Sequence, residues 1–152
     1  MTTPTIVPTQ YNGTYKDFLH AVVDRDGCVR QVHGTVSVTS GTAADAFVGL
    51  IPFQAGARFS INNSSVYCGN FGAGTTTVNL GIIYSDDTTY TNDVDAFASL
   101  STAAQSGGFI TVDEITGMTF VAEAEGWLAV QLKAANADAT ADITFNVGVA
   151  YG

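Results

Sequence analysis

Short segments in which apolar and polar residues alternate recur along this chain, and glycine, asparagine or aspartate separates them. Residues 28–39, "CVRQVHGTVSVT", set Val32, Val36 and Val38 on one side and Gln31, His33, Thr35 and Ser37 on the other. Residues 75–84, "TTTVNLGIIY", place Val78, Leu80 and Ile82 on a common side. A period of two belongs to a strand that buries one face, because successive side chains leave a pleated backbone in opposite directions. Such a strand is stable only when its apolar face meets another sheet or a helix. The pattern therefore commits most of the chain to packed β layers.

The punctuation between these segments agrees. Residues 17–24, "DFLHAVVD", and 28–39 read as a hairpin around the tight turn Asp24–Gly27. Residues 46–53, "AFVGLIPF", form a buried apolar strand that Pro52 closes or places at an edge. Further strands are expected at 57–61, 65–68, 109–115, 119–124, 126–133 and 143–151. Pro4 and Pro8 keep the first residues extended, so residues 1–16 read as an arm and 17–152 as one domain. The fold expected is all-β: an antiparallel β-sandwich, with a jelly roll among the arrangements that fit.

One segment carries a different period. In residues 93–105, "DVDAFASLSTAAQ", Val94, Phe97, Leu100, Ser101 and Ala104 are spaced as on a helix, and Gly107-Gly108 would stop it. A short α-helix is expected there. It follows an acidic stretch, "YSDDTTYTNDVD", which admits three readings. Asn92 or Thr91 could cap the helix, with Asp93 and Asp95 opposing its positive end. Asp86, Asp87, Asp93 and Asp95 could hold calcium, although Phe97 and Ala98 stand where an EF-hand needs a ligand and glycine. The stretch could also meet a partner chain. The capping reading accounts for most of the residues, and neither metal nor cofactor is expected.

Charge narrows the function classes. Five Lys and Arg face fourteen Asp and Glu, for a net charge of −9. A basic footprint for nucleic acid is missing, and anionic membrane surfaces would repel the chain. No apolar run reaches the roughly 20 residues of a membrane helix. The first ten residues lack the pattern of a secretory signal, so synthesis and folding in a cytoplasm are expected. Cys28 and Cys68 have no metal-ligand spacing and read as plain thiols.

Catalytic patterns are thin. His20 and His33 fall in separate strands, Asp113 and Glu114 would point to opposite faces of one, and the glycine-rich "GNFGAG" lacks a phosphate-binding lysine. An enzyme is not expected. Trp127 reads either as a core residue at a sheet end or as an aromatic anchor in an interface. Residues 143–151 carry no charge, so Phe145, Val147, Val149 and Tyr151 are candidates for a contact in which a neighbouring subunit covers an edge strand.

Several stretches resemble small virion structural proteins of tailed bacteriophages: "PTQYNGTYKDFLH", "VHGTV", "GLIPF", "YTNDVDAF" and "STAAQSGG". Those nearest infect marine bacteria and cyanobacteria and are capsid-associated decoration or knob-like proteins. The resemblance implies a structural role on the capsid surface of the virion. It further implies self-association, with a trimer favoured, and contact with the major capsid protein or other virion proteins. The alternative is a carbohydrate-binding or host-adhesion module, for which Tyr84, Tyr90 and residues 86–95 could supply aromatic and acidic groups.

Overall fold

The computed structural model describes residues 4–7, 29–72 and 74–151. Among the described residues, eight strands run in the order β1 (Arg30–Val38), β2 (Phe47–Phe53), β3 (Ala57–Cys68), β4 (Thr77–Tyr84), β5 (Asp93–Ser101), β6 (Gly108–Phe109), β7 (Gly126–Lys133) and β8 (Ala141–Tyr151). The same residues hold two short helices, α1 (Ala103–Ser106) and α2 (Ile115–Thr119). The expected segments 17–24 and 24–27, most of the 1–16 arm, His20 and Cys28 lie outside the described residues.

Two four-stranded antiparallel sheets face each other, β1-β8-β3-β6 and β2-β7-β4-β5. The pairing is nested: β1 with β8, β2 with β7, β3 with β6, β4 with β5. The chain is thus one long antiparallel hairpin wound into two layers, which is the topology of a jelly roll. The β4–β5 turn is the tip of that hairpin, and the acidic stretch occupies it.

The core between the sheets is built from the alternating residues. Val32, Val36 and Val38 of β1 are buried, whereas Gln31, His33, Thr35 and Ser37 face outward. Leu128, Val130 and Leu132 of β7 meet Val78, Leu80 and Ile82 of β4 in the same core. Edge-to-face contacts join Phe53 to Phe59 and Tyr84, and Phe97 to Phe59 and Phe120. Such contacts stabilise beyond the area they bury.

Two departures from the expected layout concern strands. The expected strands at 109–115 and 119–124 are not sheet members beyond Gly108–Phe109; α2 and extended chain stand there instead. The gap expected between the strands 57–61 and 65–68 is an irregularity within the single strand β3, between Ser60 and Ser65. Ser64 closes it: its hydroxyl donates to the Ser60 carbonyl and accepts from the Gly148 N–H at 3.0 Å. That hydroxyl supplies a partner which the interrupted ladder cannot.

Candidate functional site

The acidic stretch is the turn and the start of a strand, and the expected helix over 93–105 is overturned for most of its length. Asp93–Ser101 is β5, paired with β4 through Asp93↔Ile82, Ala98↔Leu80 and Ser101↔Val78, with two irregularities in register. These irregularities break the alternation and bury Ala96, Phe97 and Ala98 in succession. The sequence therefore lost its period of two and mimicked a helical one. Helix survives only as α1, which ends at Gly107 with φ of 83°.

The residues expected to cap a helix serve the hairpin instead. Asn92 Oδ1 accepts the Tyr84 N–H at 2.7 Å, across the turn. Asp86 Oδ1 accepts the N–H groups of Thr88 and Thr89, each at 3.2 Å, and the Asp86 carbonyl accepts the Tyr90 N–H at 3.1 Å. A hydrogen bond from the Thr89 side chain, joined by these backbone bonds, holds the Asp86 carboxyl below its ordinary pKa. Asp93 behaves oppositely. Burial, and then a hydrogen bond to the neighbouring Asp95 carboxyl, push its pKa up. Among the described residues, no group of three His, Cys, Asp or Glu side chains is placed to hold a metal ion.

The tyrosines beside this turn face inward. Tyr84 is 5% exposed, and its hydroxyl accepts the Glu123 N–H at 3.4 Å. Tyr90 packs on it with ring centroids 5.5 Å apart. Burial raises the Tyr84 pKa. The pair is a packing device rather than an open platform for a sugar ring.

The four C-terminal interface candidates belong to the core. Phe145, Val147, Val149 and Tyr151 are between 1% and 8% exposed. Strand β8 is an interior strand that pairs with β1 on one side and β3 on the other. The chain covers this strand itself, which corrects the expectation of an edge covered by a neighbour. The absence of charge in residues 143–151 reflects that interior place. Tyr151 spends its hydroxyl on the Gln54 N–H at 3.1 Å.

Trp127 is half-buried on β7, opposite Pro52 and Ile83. Its ring lies against Gly49, where a Cβ would meet Trp127 at 2.8 Å and Pro4 at 2.7 Å. Pro4 belongs to a short segment held on the edge of β2: Thr5 N–H donates to the Phe47 carbonyl at 3.1 Å, and Gly49 N–H to the Ile6 carbonyl at 2.7 Å. Trp127 thus helps seat the chain's own N-terminal residues. Cys68 is a buried free thiol whose pKa burial pushes up to about 12.

The surface feature that sequence reasoning missed is an apolar flank. Residues 108–124 run antiparallel to β3 along the open side of the sandwich, tied by Tyr67↔Phe109, Ile110 N–H to the Val66 carbonyl (2.9 Å) and Ala122 N–H to the Ala57 carbonyl (2.9 Å). The other side of this ribbon is bound to β5. Asp113 and Glu114 N–H groups share the Phe97 carbonyl, and the Thr116 hydroxyl donates to the Ala96 carbonyl at 2.9 Å. Gly117 sits so close to the Phe97 ring that a Cβ would lie 2.3 Å from it. With its small residue turned inward, α2 presents Ile115 and Met118 to solvent, 75% and 71% exposed. Phe109 at 66% and Val121 at 40% are exposed on the same ribbon, and Leu100 at 55% near the end of β5. The only hint in the sequence was "ITGMTF", whose apolar residues match neither face of a strand.

Under the irregularity of β3 lies a cleft of about 30 Å³ lined by Phe59, Ile61, Val66, Leu80, Phe97 and Val147 among others. It has room for water but not for a metabolite.

No family model matches the chain, and no curated protein matches it. Solved structures do share its fold. A chain of the capsid of Ralstonia phage GP4 superposes with a TM-score of 0.66 at 19% identity, over 85% of this chain and 88% of that one. A chain of the cyanophage Pam1 capsid asymmetric unit gives a TM-score of 0.57 at 17% identity, over 84% and 87%. At these identities the likeness establishes the fold alone, which chains of two phage capsids share.

Proposed function

We propose that this protein is a structural component of a tailed-phage virion, acting through protein–protein contacts as a capsid-associated decoration or knob protein. The observation that carries the reading is the near end-to-end likeness of its fold to chains of two phage capsids. The physical character of the chain supports it. The sandwich closes on its own core, the cleft under β3 is too small for a substrate, and the described residues expose large apolar side chains along residues 108–124. In this reading the protein is made in the host cytoplasm, takes its place on the capsid surface, and does no catalysis.

Self-association, as a trimer, is part of the proposal. The surface suited to it is the outer face of the first sheet, where Thr35, Thr144, His33 and Asn146 stand on β1 and β8 with little charge. Thr35 and Thr144 bond across the two strands at 3.2 Å. Light scattering at micromolar concentration tests this part: a monomer refutes self-association, and a dimer refutes the trimer.

The role itself is tested on purified particles of a phage that carries this reading frame. Mass spectrometry should find the protein at a fixed stoichiometry to the major capsid protein, and a cryo-EM map should hold its jelly roll on the shell. Its absence from density-purified particles would refute the reading.

A further inference from the structure

We propose that residues 4–6 are a strap that holds the edge of β2 shut, and that its release opens this edge to pairing with the same edge of a second copy. The proposal concerns the free chain and stands apart from the virion reading.

Among the described residues, β2 is an end strand of the second sheet. Backbone groups on the outer side of an end strand need partners, and a bare run of them is a template for another strand. The strap occupies the first part of that edge. The Thr5 N–H and the Thr5 hydroxyl both donate to the Phe47 carbonyl at 3.1 Å, and the Ile6 carbonyl accepts the Gly49 N–H at 2.7 Å. These bonds set Ile6 beside Val48 in a parallel bridge. Two side chains anchor the segment. Ile6 is half-buried against the core, and Pro4 lies over Gly49 beside Trp127. Val48 and Leu50 are core residues, so position 49 faces away from the core. A Cβ there would lie 2.7 Å from Pro4 and 2.8 Å from Trp127, so glycine is what lets Pro4 approach the sheet. The rest of the edge is guarded differently. An irregularity between Gly49 and Ile51 breaks the register, and Pro52 has no N–H to offer.

Of these guards the strap is the one that can open. An isolated parallel bridge with a few hydrogen bonds separates more readily than a full ladder, and no covalent constraint like that of Pro52 holds it. The partner is a second copy for two reasons. Release bares the Phe47 carbonyl and the Gly49 N–H on every copy, and two identical edges satisfy one another about a twofold axis. Residues 46–57 carry no charge, and Asp45 just before them is engaged with Lys133. Pairing edge to edge therefore brings no like charges opposite one another along the strand.

Trp127 is the sole tryptophan of the chain, so its fluorescence reports on the seat of the strap. The test uses the full chain carrying Thr5→Pro and Ile6→Ser, which remove both donors to Phe47 and the apolar anchor. Thr5 is exposed and Ile6 only half-buried, so the sandwich should keep its far-UV circular dichroism. In this variant acrylamide should quench Trp127 more strongly. In dilute solution the Gly49 amide should exchange about fivefold faster or more, as the loss of a net hydrogen bond implies. As concentration rises, light scattering should show a species of about twice the wild-type mass, whatever state the wild type adopts. In that species the Gly49 amide should be protected again. Thr5→Ser, which keeps the N–H and a hydroxyl, should behave as wild type. Unchanged quenching and exchange in the double variant would show that the strap does not close this edge, and overturn the proposal. An opened seat with the wild-type mass at every concentration overturns it as well. So does a larger species in which Gly49 still exchanges fast, because that places the association elsewhere. If the double variant folds poorly, Thr5→Pro alone gives the same three readings.

Discussion

Replacing Gly81 by alanine should unseat the hairpin tip. At Gly81 an added Cβ would lie 2.2 Å from the Val94 carbonyl carbon and 2.3 and 2.4 Å from the Asp93 and Val94 oxygens. All three are backbone atoms, so no rotamer change relieves the clash. Apolar atoms pack at about 3.5–4.0 Å, so β5 would have to retreat from β4 by about 1 Å. Hydrogen bonds near 2.9 Å would stretch toward about 4 Å and cease to hold. The retreat also pulls on the Phe97 carbonyl that tethers Asp113 and Glu114. Overpacking of this kind costs about 1–3 kcal/mol, and unyielding backbone puts it at about 3. For a domain of this length each kcal/mol lowers Tm by about 2–4 °C, so Gly81→Ala should melt about 6–12 °C below wild type. The assay is thermal unfolding followed by circular dichroism, with Gly108→Ala as control because a Cβ there meets nothing within 4 Å. The control should stay within about 0.5 kcal/mol or gain slightly from a stiffer unfolded chain. A Gly81→Ala protein that melts with wild type would refute the close approach of β5 and the description of this turn.

Other perturbations probe separate parts. Asp86→Ala removes the acceptor of two turn N–H groups and should lower the urea midpoint, whereas calcium or EDTA should leave Tm of the wild type unchanged. Asp93 has a raised folded pKa, so its contribution is favourable while it is protonated and is lost as pH rises through that pKa; Asp93→Asn should therefore raise Tm at pH 7 and make no difference near pH 3. Cys68 also has a raised folded pKa, so stability is intact below its ordinary value of 9.0 and declines as pH climbs toward about 12. Cys68→Ala should flatten part of that decline in pH-scanned melts, Tyr84 and Tyr151 supplying the rest, and native Cys68 should resist a thiol reagent until the protein unfolds.

What a single strand does was legible in the residues, because alternation is a local property. The valines of β1 and the span of β7 were read as they stand, and strands of this number with few helical segments already implied packed sheets. The resemblance to phage virion proteins, carried by stretches such as "VHGTV" and "YTNDVDAF", pointed to the same kind of neighbour as the fold comparison. What a strand lies beside was decided by the tertiary structure. The C-terminal strand lacks charge, which fits an exposed contact and an interior strand equally; only its pairing with both β1 and β3 distinguished them. Residues 93–101 imitated a helix because irregular pairing with β4 buries consecutive residues, and that irregularity depends on Gly81 and Asn79, which lie in another part of the sequence. The flank escaped for the same reason. Ile115 and Met118 are apolar residues that local reasoning assigns to a core, yet the tight seat of Gly117 against Phe97 turns them outward. Periodicity reports how a segment divides its own side chains, whereas the nesting of one long hairpin, and the surface left over when it closes, arise from contacts between residues far apart in the chain.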